Sequence, residues 1–109
     1  MRVVSLRLLR EYWNQPGRQT TEQPLKTWFA VVRGSRWASL IDIKKDFPTV
    51  DIAHRRYVFD IKGNNCRLIC SIDFVRHGVL ILWVGTHDDY DELMKNDGRK
   101  FRKIYGEMS

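Results

Sequence analysis

Apolar residues recur along this chain with two different periods, helical in the first half and strand-like in the second. Met1 to Val4 reads as a short strand or extended lead-in. Ser5 is placed to cap a helix whose Leu6, Leu9 and Trp13 follow at i, i+3 and i+7. Asn14, Pro16 and Gly17 end that helix, and a polar loop leads to Thr21. The second helix is better marked. Glu22, Gln23 and Pro24 suit a first turn, Leu25, Trp28, Phe29 and Val32 form an apolar stripe, and Gly34 is expected to stop it in the left-handed conformation. Joined by a short loop, the two should pack as a helical hairpin. Trp37, Leu40, Ile43 and Phe47 predict a short third helix ended by Pro48, and Thr49 to His54 reads as a loop.

Beyond Arg55 the period becomes two. Arg56 to Ile61, Arg67 to Val75 and Val79 to Val84 are β-branched and aromatic runs. Lys62-Gly63-Asn64-Asn65 and His77-Gly78 separate them, with residues that tolerate the backbone of a tight turn. Three consecutive antiparallel strands result, with one face left for the helices to cover. After Gly85, Thr86 or Asp88 can cap a short helix carrying Tyr90, Leu93 and Met94. The tail from Asn96 to Ser109 is left open among strand, helix and arm. The expected class is α+β. An N-terminal helical hairpin packs on a three- to four-stranded antiparallel sheet, a short helix follows, and residues 1–109 form one domain.

Composition narrows the setting. Over 109 residues, 43% are hydrophobic and 29% charged, a globular balance rather than a disordered one. Nineteen Lys and Arg against 13 Asp and Glu leave a net charge of +6, which points to an acidic partner, nucleic acid or protein. Cys66 and Cys70 are the two cysteines. On one strand they share a face but stand about 13 Å apart, too far for a disulfide, so buried free thiols are expected. With three scattered histidines, no metal-ligand cluster and no cofactor motif stand out. No apolar run reaches the ~18 residues of a membrane span, and the N-terminus lacks a signal-peptide core, so a cytoplasmic protein is expected.

Alternation along the second strand puts Cys66, Leu68, Cys70 and Ile72 on one face and Arg67, Ile69, Ser71 and Asp73 on the other. An arginine in mid-sheet needs a partner or a cleft. It can pair internally with Asp73 or Asp60, or clamp a phosphate through its forked donors. The run Thr86 to Asp91 offers His87 and Tyr90 on one helical face, a histidine suited to proton transfer and an aromatic neighbour. The same run also reads as a plain capping segment. Arg55, Arg56, Lys44 and Lys45 read as solvated charges, His54 and His77 as surface residues, and Trp28, Trp37 and Trp83 as core.

The order of these motifs resembles the HigB-type toxins of the RelE superfamily, over roughly Met1 to Leu93. The resemblance is carried by Trp28, Trp37, the Asp42 to Pro48 run, the Gly63-Asn64-Asn65-Cys66-Arg67-Leu68 turn and the Gly85-Thr86-His87-Asp88-Asp89-Tyr90-Asp91 run. It implies a RelE-like fold and a type II toxin that cleaves mRNA, in much of the family on the ribosome, without a cofactor. It also implies a cognate helix-turn-helix, HigA-like antitoxin through which operator DNA would be bound. Arg67 matches the strand arginine that RelE-type enzymes use near the scissile phosphate, His87 falls where that superfamily places a catalytic basic residue after the last main strand, and Tyr90 is the counterpart of its active-site tyrosine, at a spacing from His87 that differs from the RelE pattern. Lys62, Asn64, Arg99, Lys100 and Arg102 are the RNA-binding candidates. Where RelE carries lysines on the first hairpin strand, this chain has Val58 and Asp60, so a lysine base does not carry over. Two other readings stay open: a non-catalytic toxin of this fold that binds DNA gyrase, and an inactive basic interaction module.

Overall fold

A computed structural model describes residues 1–61 and 65–106. The elements run β1 (Arg2–Val4), α1 (Arg7–Trp13), α2 (Glu22–Gly34), α3 (Leu40–Asp46), β2 (Asp51–Ala53), β3 (Arg56–Ile61), β4 (Cys66–Asp73), β5 (Gly78–Gly85) and α4 (His87–Tyr105). The sheet order is β1-β5-β4-β3-β2. The expected β3-β4-β5 antiparallel meander forms its centre. The sheet is wider than the pattern suggested. β1 joins β5 in parallel, and Asp51–Ala53, read above as loop, pairs with β3. The class is α+β, with a mixed five-stranded sheet.

Strand alternation gives the sheet two apolar faces. Phe59, Ile61, Cys66, Leu68, Cys70, Val79 and Ile81 form the main core with Leu9, Leu25, Trp28, Val32 and Ile43 of the helices. Phe59 carries this layer, with Trp28 edge-on at 5.5 Å and Trp37 stacked at 6.3 Å. The opposite face is smaller. Val58 and Ile69 meet Leu93 and Phe101 of α4, flanked by Leu82, Trp83, Tyr90 and Tyr105. A β-bulge serves this second face. Ile69 pairs with Trp83 but Cys70 pairs with Ile81, so Leu82 is the extra residue and both Leu82 and Trp83 join the α4 cluster.

Two helix ends differ from expectation. Ser5 has φ 73° and does not cap α1; its carbonyl accepts from Leu8, and the N-cap position is Leu6. Gly34 is not left-handed. α2 ends because Ser35 turns extended and donates to the Val32 carbonyl through both its amide and its hydroxyl. The Met1 nitrogen also donates to the carbonyls of Val32, Arg33 and Ser35, tying β1 to that helix end.

α4 is interrupted. Lys95 is extended and Asn96, Asp97 and Gly98 are left-handed, at φ 54°, 58° and 70°. Asn, Asp and Gly are the residues that adopt this region at least cost. The break turns the C-terminal part of α4 back onto the sheet. There Phe101 is fully buried, the Tyr105 hydroxyl donates to the Leu82 carbonyl at 2.9 Å, and Arg56 Nη2 donates to the Tyr105 carbonyl at 3.4 Å. Arg56 is therefore no solvated charge; it is 3% exposed. His54, read as a surface residue, lies against Gly98 and Phe101, and a Cβ at position 98 would stand 2.3 Å from its ring. Among the described residues, no helix is long and apolar enough to cross a membrane.

Burial fixes the alkaline limit of this fold. Desolvation raises the Cys66 thiol from 9.0 to about 12 and pushes Cys70 higher still, and burial also raises Tyr12, Tyr57, Tyr90 and Tyr105 above the usual phenol value. A group with a raised folded-state pKa contributes stability that is full below its unfolded pKa and is lost as pH climbs toward the folded one. Stability should hold to about pH 9, where ordinary thiols begin to ionise, and then fall. Urea denaturation at pH 7.5 and at pH 10.5 checks this; equal midpoints would contradict the thiol and phenol burial described.

Candidate functional site

β4 delivers Arg67 to the face opposite the thiols, as alternation required. Its cross-strand partner on β3 is Asp60, and Arg67 Nε lies 3.1 Å from Asp60 Oδ1. Asp73, the other candidate partner, instead caps the β4–β5 turn by accepting the amides of Val75 and Arg76. The Arg67 side chain is 20% exposed and that of Asp60 30%, so this pair is only partly wet. Tyr90 closes over it, with the guanidinium carbon 4.7 Å from the ring centroid. Arg67 is therefore oriented from two sides.

On β5, Gly85 stands directly opposite Arg67. A Cβ there would strike the Trp83 indole at 2.4 Å, so the glycine lets Trp83 lie flat along its own strand toward Tyr90, at a ring separation of 6.2 Å. Two residues on, α4 begins. Thr86 is its N-cap, and its hydroxyl accepts from the Asp89 amide at 3.0 Å. The next residue is His87, whose Nδ1 lies 3.1 Å from Asp91 Oδ2 one turn later. Tyr90 follows at i+3, on the neighbouring side of the same turn. Burial raises the Tyr90 hydroxyl, with Arg67 pulling the other way, so the phenol keeps its proton at neutral pH.

Thus Arg67 and Tyr90 are in contact, and His87 stands within one helical turn of Tyr90. The other candidates lie apart from this group. Arg99 is exposed on the C-terminal part of α4, Lys100 is drawn to Glu92 at 3.3 Å, and Arg102 approaches Asp97 at 3.9 Å. Lys62 and Asn64 lie outside the described residues. Two contributors escaped the sequence reading. Asp91 was one acidic residue among several until the helix phased it onto His87. Trp83 was read as core from its apolar stripe, and it does pack on a core cluster, but the bulge puts it on the smaller one beside Tyr90.

The expectation of no metal-ligand grouping also needs amending. His87, Asp88 and Asp91 bring ligand-type atoms within 4.8 Å of one another. Asp88 and Asp91 are exposed, and carboxylates at a helix N-terminus have their own reason to be there, since they offset the positive end of the helix dipole.

With this geometry in view, comparison with known proteins is decisive for the family. A model of the HigB toxin, described as the RelE-like toxic component of a toxin–antitoxin system, matches residues 21–93. The chain belongs to the HigB toxin family. It is also similar to the mRNA interferase HigB of Escherichia coli O6:H1 (strain CFT073), with 27% identity over 74 residues, which cover 65% of this chain and 72% of that protein. The matched region of the family spans α2 through the first turns of α4 and so contains Asp60, Arg67, His87 and Tyr90.

The Asp60–Arg67 pair is testable as a unit. Asp60→Ala leaves a half-buried guanidinium without its carboxylate and should cost about 1–3 kcal/mol of stability. Adding Arg67→Met removes the stranded charge and should restore part of the loss, because replacing both partners is cheaper than orphaning one. A double variant whose urea midpoint shows simple addition of the single effects would mean the pair is not coupled.

Proposed function

We propose that this HigB-family chain is an mRNA interferase, a toxin that cuts mRNA by attack of a ribose 2′-oxygen on the adjacent phosphorus. The observation that supports it most is the guanidinium of Arg67, held by Asp60 and Tyr90, with His87, itself paired with Asp91, one helical turn from Tyr90. Guanidinium forks match phosphate oxygens and favour the charge that builds on them in the transition state. In the reaction the O2′–P bond forms, the P–O5′ bond breaks, the 2′-hydroxyl loses a proton and the 5′-oxygen gains one. A carboxylate on Nδ1 fixes the proton there and leaves Nε2 of His87 to exchange a proton with one of these oxygens. Tyr90, protonated at neutral pH, orients the phosphate or Arg67 as a donor and is not the base. None of these steps calls for a metal, and we extend the reading to cleavage without one.

We extend the reading to the wider setting that the family suggests. Such a toxin acts in the cytoplasm, on mRNA held by the translating ribosome, and is held inactive by a helix-turn-helix, HigA-like antitoxin that brings operator DNA with it. Purified protein incubated with free mRNA and with translating ribosomes tests the ribosome requirement; equal cutting of both would remove it.

His87→Ala should lower cleavage by about a hundredfold or more, the usual worth of a positioned acid or base, and abolish growth arrest. Arg67→Ala should lose a similar factor through transition-state charge. Mapping mRNA 5′ ends after induction reads both. A His87→Ala protein as toxic as the parent would exclude His87, and growth arrest with DNA damage and intact mRNA would replace the nuclease with a gyrase inhibitor. Cleavage by the purified protein should also persist in excess EDTA; its loss there, regained with a divalent cation, would return the His87, Asp88 and Asp91 grouping to the reaction.

A further inference from the structure

A cleft of about 360 Å³ lies between the first turns of α4 and the loop after α1, with Trp83, Gly85, Asp89, Arg18, Gln15 and Lys100 among its lining residues. Trp83 links it to the Arg67 group, since it also meets Tyr90. Gly85 is the register partner of Arg67, so the backbones of the cleft and of Arg67 are about 5 Å apart, within the reach of neighbouring nucleotides on one strand.

This cleft is built before any ligand arrives. Its outer wall is the loop from Asn14 to Thr21, held by consecutive hydrogen bonds: Gln15 to the Tyr12 carbonyl, Arg18 to Gln15, and Thr21 to Arg18 through both amide and hydroxyl. The Arg18 guanidinium is parked over the Tyr12 ring at 5.7 Å. Lys100 also lines the cleft, ion-paired at 3.3 Å with Glu92, a second lining carboxylate, and Asp89 sits on α4 with its amide donating to Thr86. An indole wall, a side-chain amide, the Asp89 carboxylate and two cations, of which Lys100 exchanges Glu92 for the phosphate, suit a nucleotide: a flat base with a polar edge and an anionic tether. An apolar side chain would leave most of these groups without use.

We propose that this cleft is a nucleotide subsite for single-stranded RNA, taking the base next to the phosphate that meets Arg67. The proposal rests on the nuclease reading and adds a base preference to it. Trp83 supplies the stacking face, Arg18 and Lys100 attract the flanking phosphate, and Asp89 and Gln15 read the base edge. An ionised carboxylate only accepts hydrogen bonds, so Asp89 favours a base with an exocyclic amine over uracil, whose one edge donor, N3–H, is flanked by two carbonyls that repel a carboxylate.

The test is NMR titration of the 15N-labelled protein with cytidine and uridine 5′-monophosphates, probes that differ at this amine. Cytidine monophosphate should shift the amides of Arg18, Val84, Gly85 and Asp89 and bind about tenfold tighter than uridine monophosphate. Asp89→Asn should remove the preference without changing the fold, because its backbone amide still donates to Thr86. Arg18→Gln should weaken both ligands. Shifts confined to the Arg67 and His87 side, or absent, overturn the subsite. Equal affinities for the two nucleotides in the parent protein overturn the role of Asp89. The mRNA-end mapping of the His87 variant stands or falls independently of this result.

Discussion

A guanidinium in the middle of a β-sheet must be both neutralised and covered, and much of the site follows from how Arg67 meets that demand. Asp60 supplies the opposite charge from the adjacent strand, at the register position directly across. Tyr90 supplies the cover, with its ring over the guanidinium. Each answer constrains a different element. Asp60 sets the β3–β4 register, since a slip of one residue would turn it into the main core. Tyr90 sets how the first turn of α4 lies on the sheet, and with it the place of His87. Breaking a half-buried pair costs more than forming it contributes, so the arrangement is better explained as fixing position than as adding stability.

The sheet can hold such a site because its two faces do different work. The face under α1, α2 and α3 carries the larger apolar core, including both thiols. The other face needs only the small cluster of Val58, Ile69, Leu93 and Phe101 to hold α4. The left-handed break at Asn96 to Gly98 lets one helical segment serve twice. Its first part frames Arg67, and its second part folds back to bury Phe101 and cap Arg56. Gly98 is essential to this because His54 occupies the space a side chain would need.

What could be read from the residues was local. The α2 stripe, the β3-β4-β5 meander and the face of Arg67 follow from periods and turn chemistry, and the structure has all three; of the two caps offered, Thr86 and Asp88, it uses Thr86. Missing were features that depend on long-range partners. β1 pairs in parallel with a strand more than seventy residues away, and three residues carry no mark of such a partner. Trp83 packs on the α4 face and not in the main core because a bulge moves one residue out of phase, and a bulge leaves little trace in composition. Asn96-Asp97-Gly98 did carry a signal for left-handed backbone, but inside a polar tail it could not say whether a helix would resume. The candidate site could be proposed as a set of residue types, and its geometry could not. Asp60 and Asp73 were equal candidates for Arg67 until the register chose between them.

The basic C-terminal part of α4 shows why counting charges overstates attraction to RNA. Lys95 and Lys100 both reach Glu92, and Arg102 approaches Asp97, so part of the positive field is already answered inside the same segment. These pairs are largely exposed, however, and exposed pairs contribute little and are screened by salt. Phosphate that displaces them also releases condensed counterions, a gain the internal carboxylates cannot match. On the proposed reading the acidic residues act as placeholders. They would lower the field felt by unrelated polyanions at a distance, yet yield to a strand that also stacks on an aromatic wall and meets Arg67. Specific engagement would then depend on base and phosphate contacts acting together, and net charge alone is a poor guide to where RNA binds.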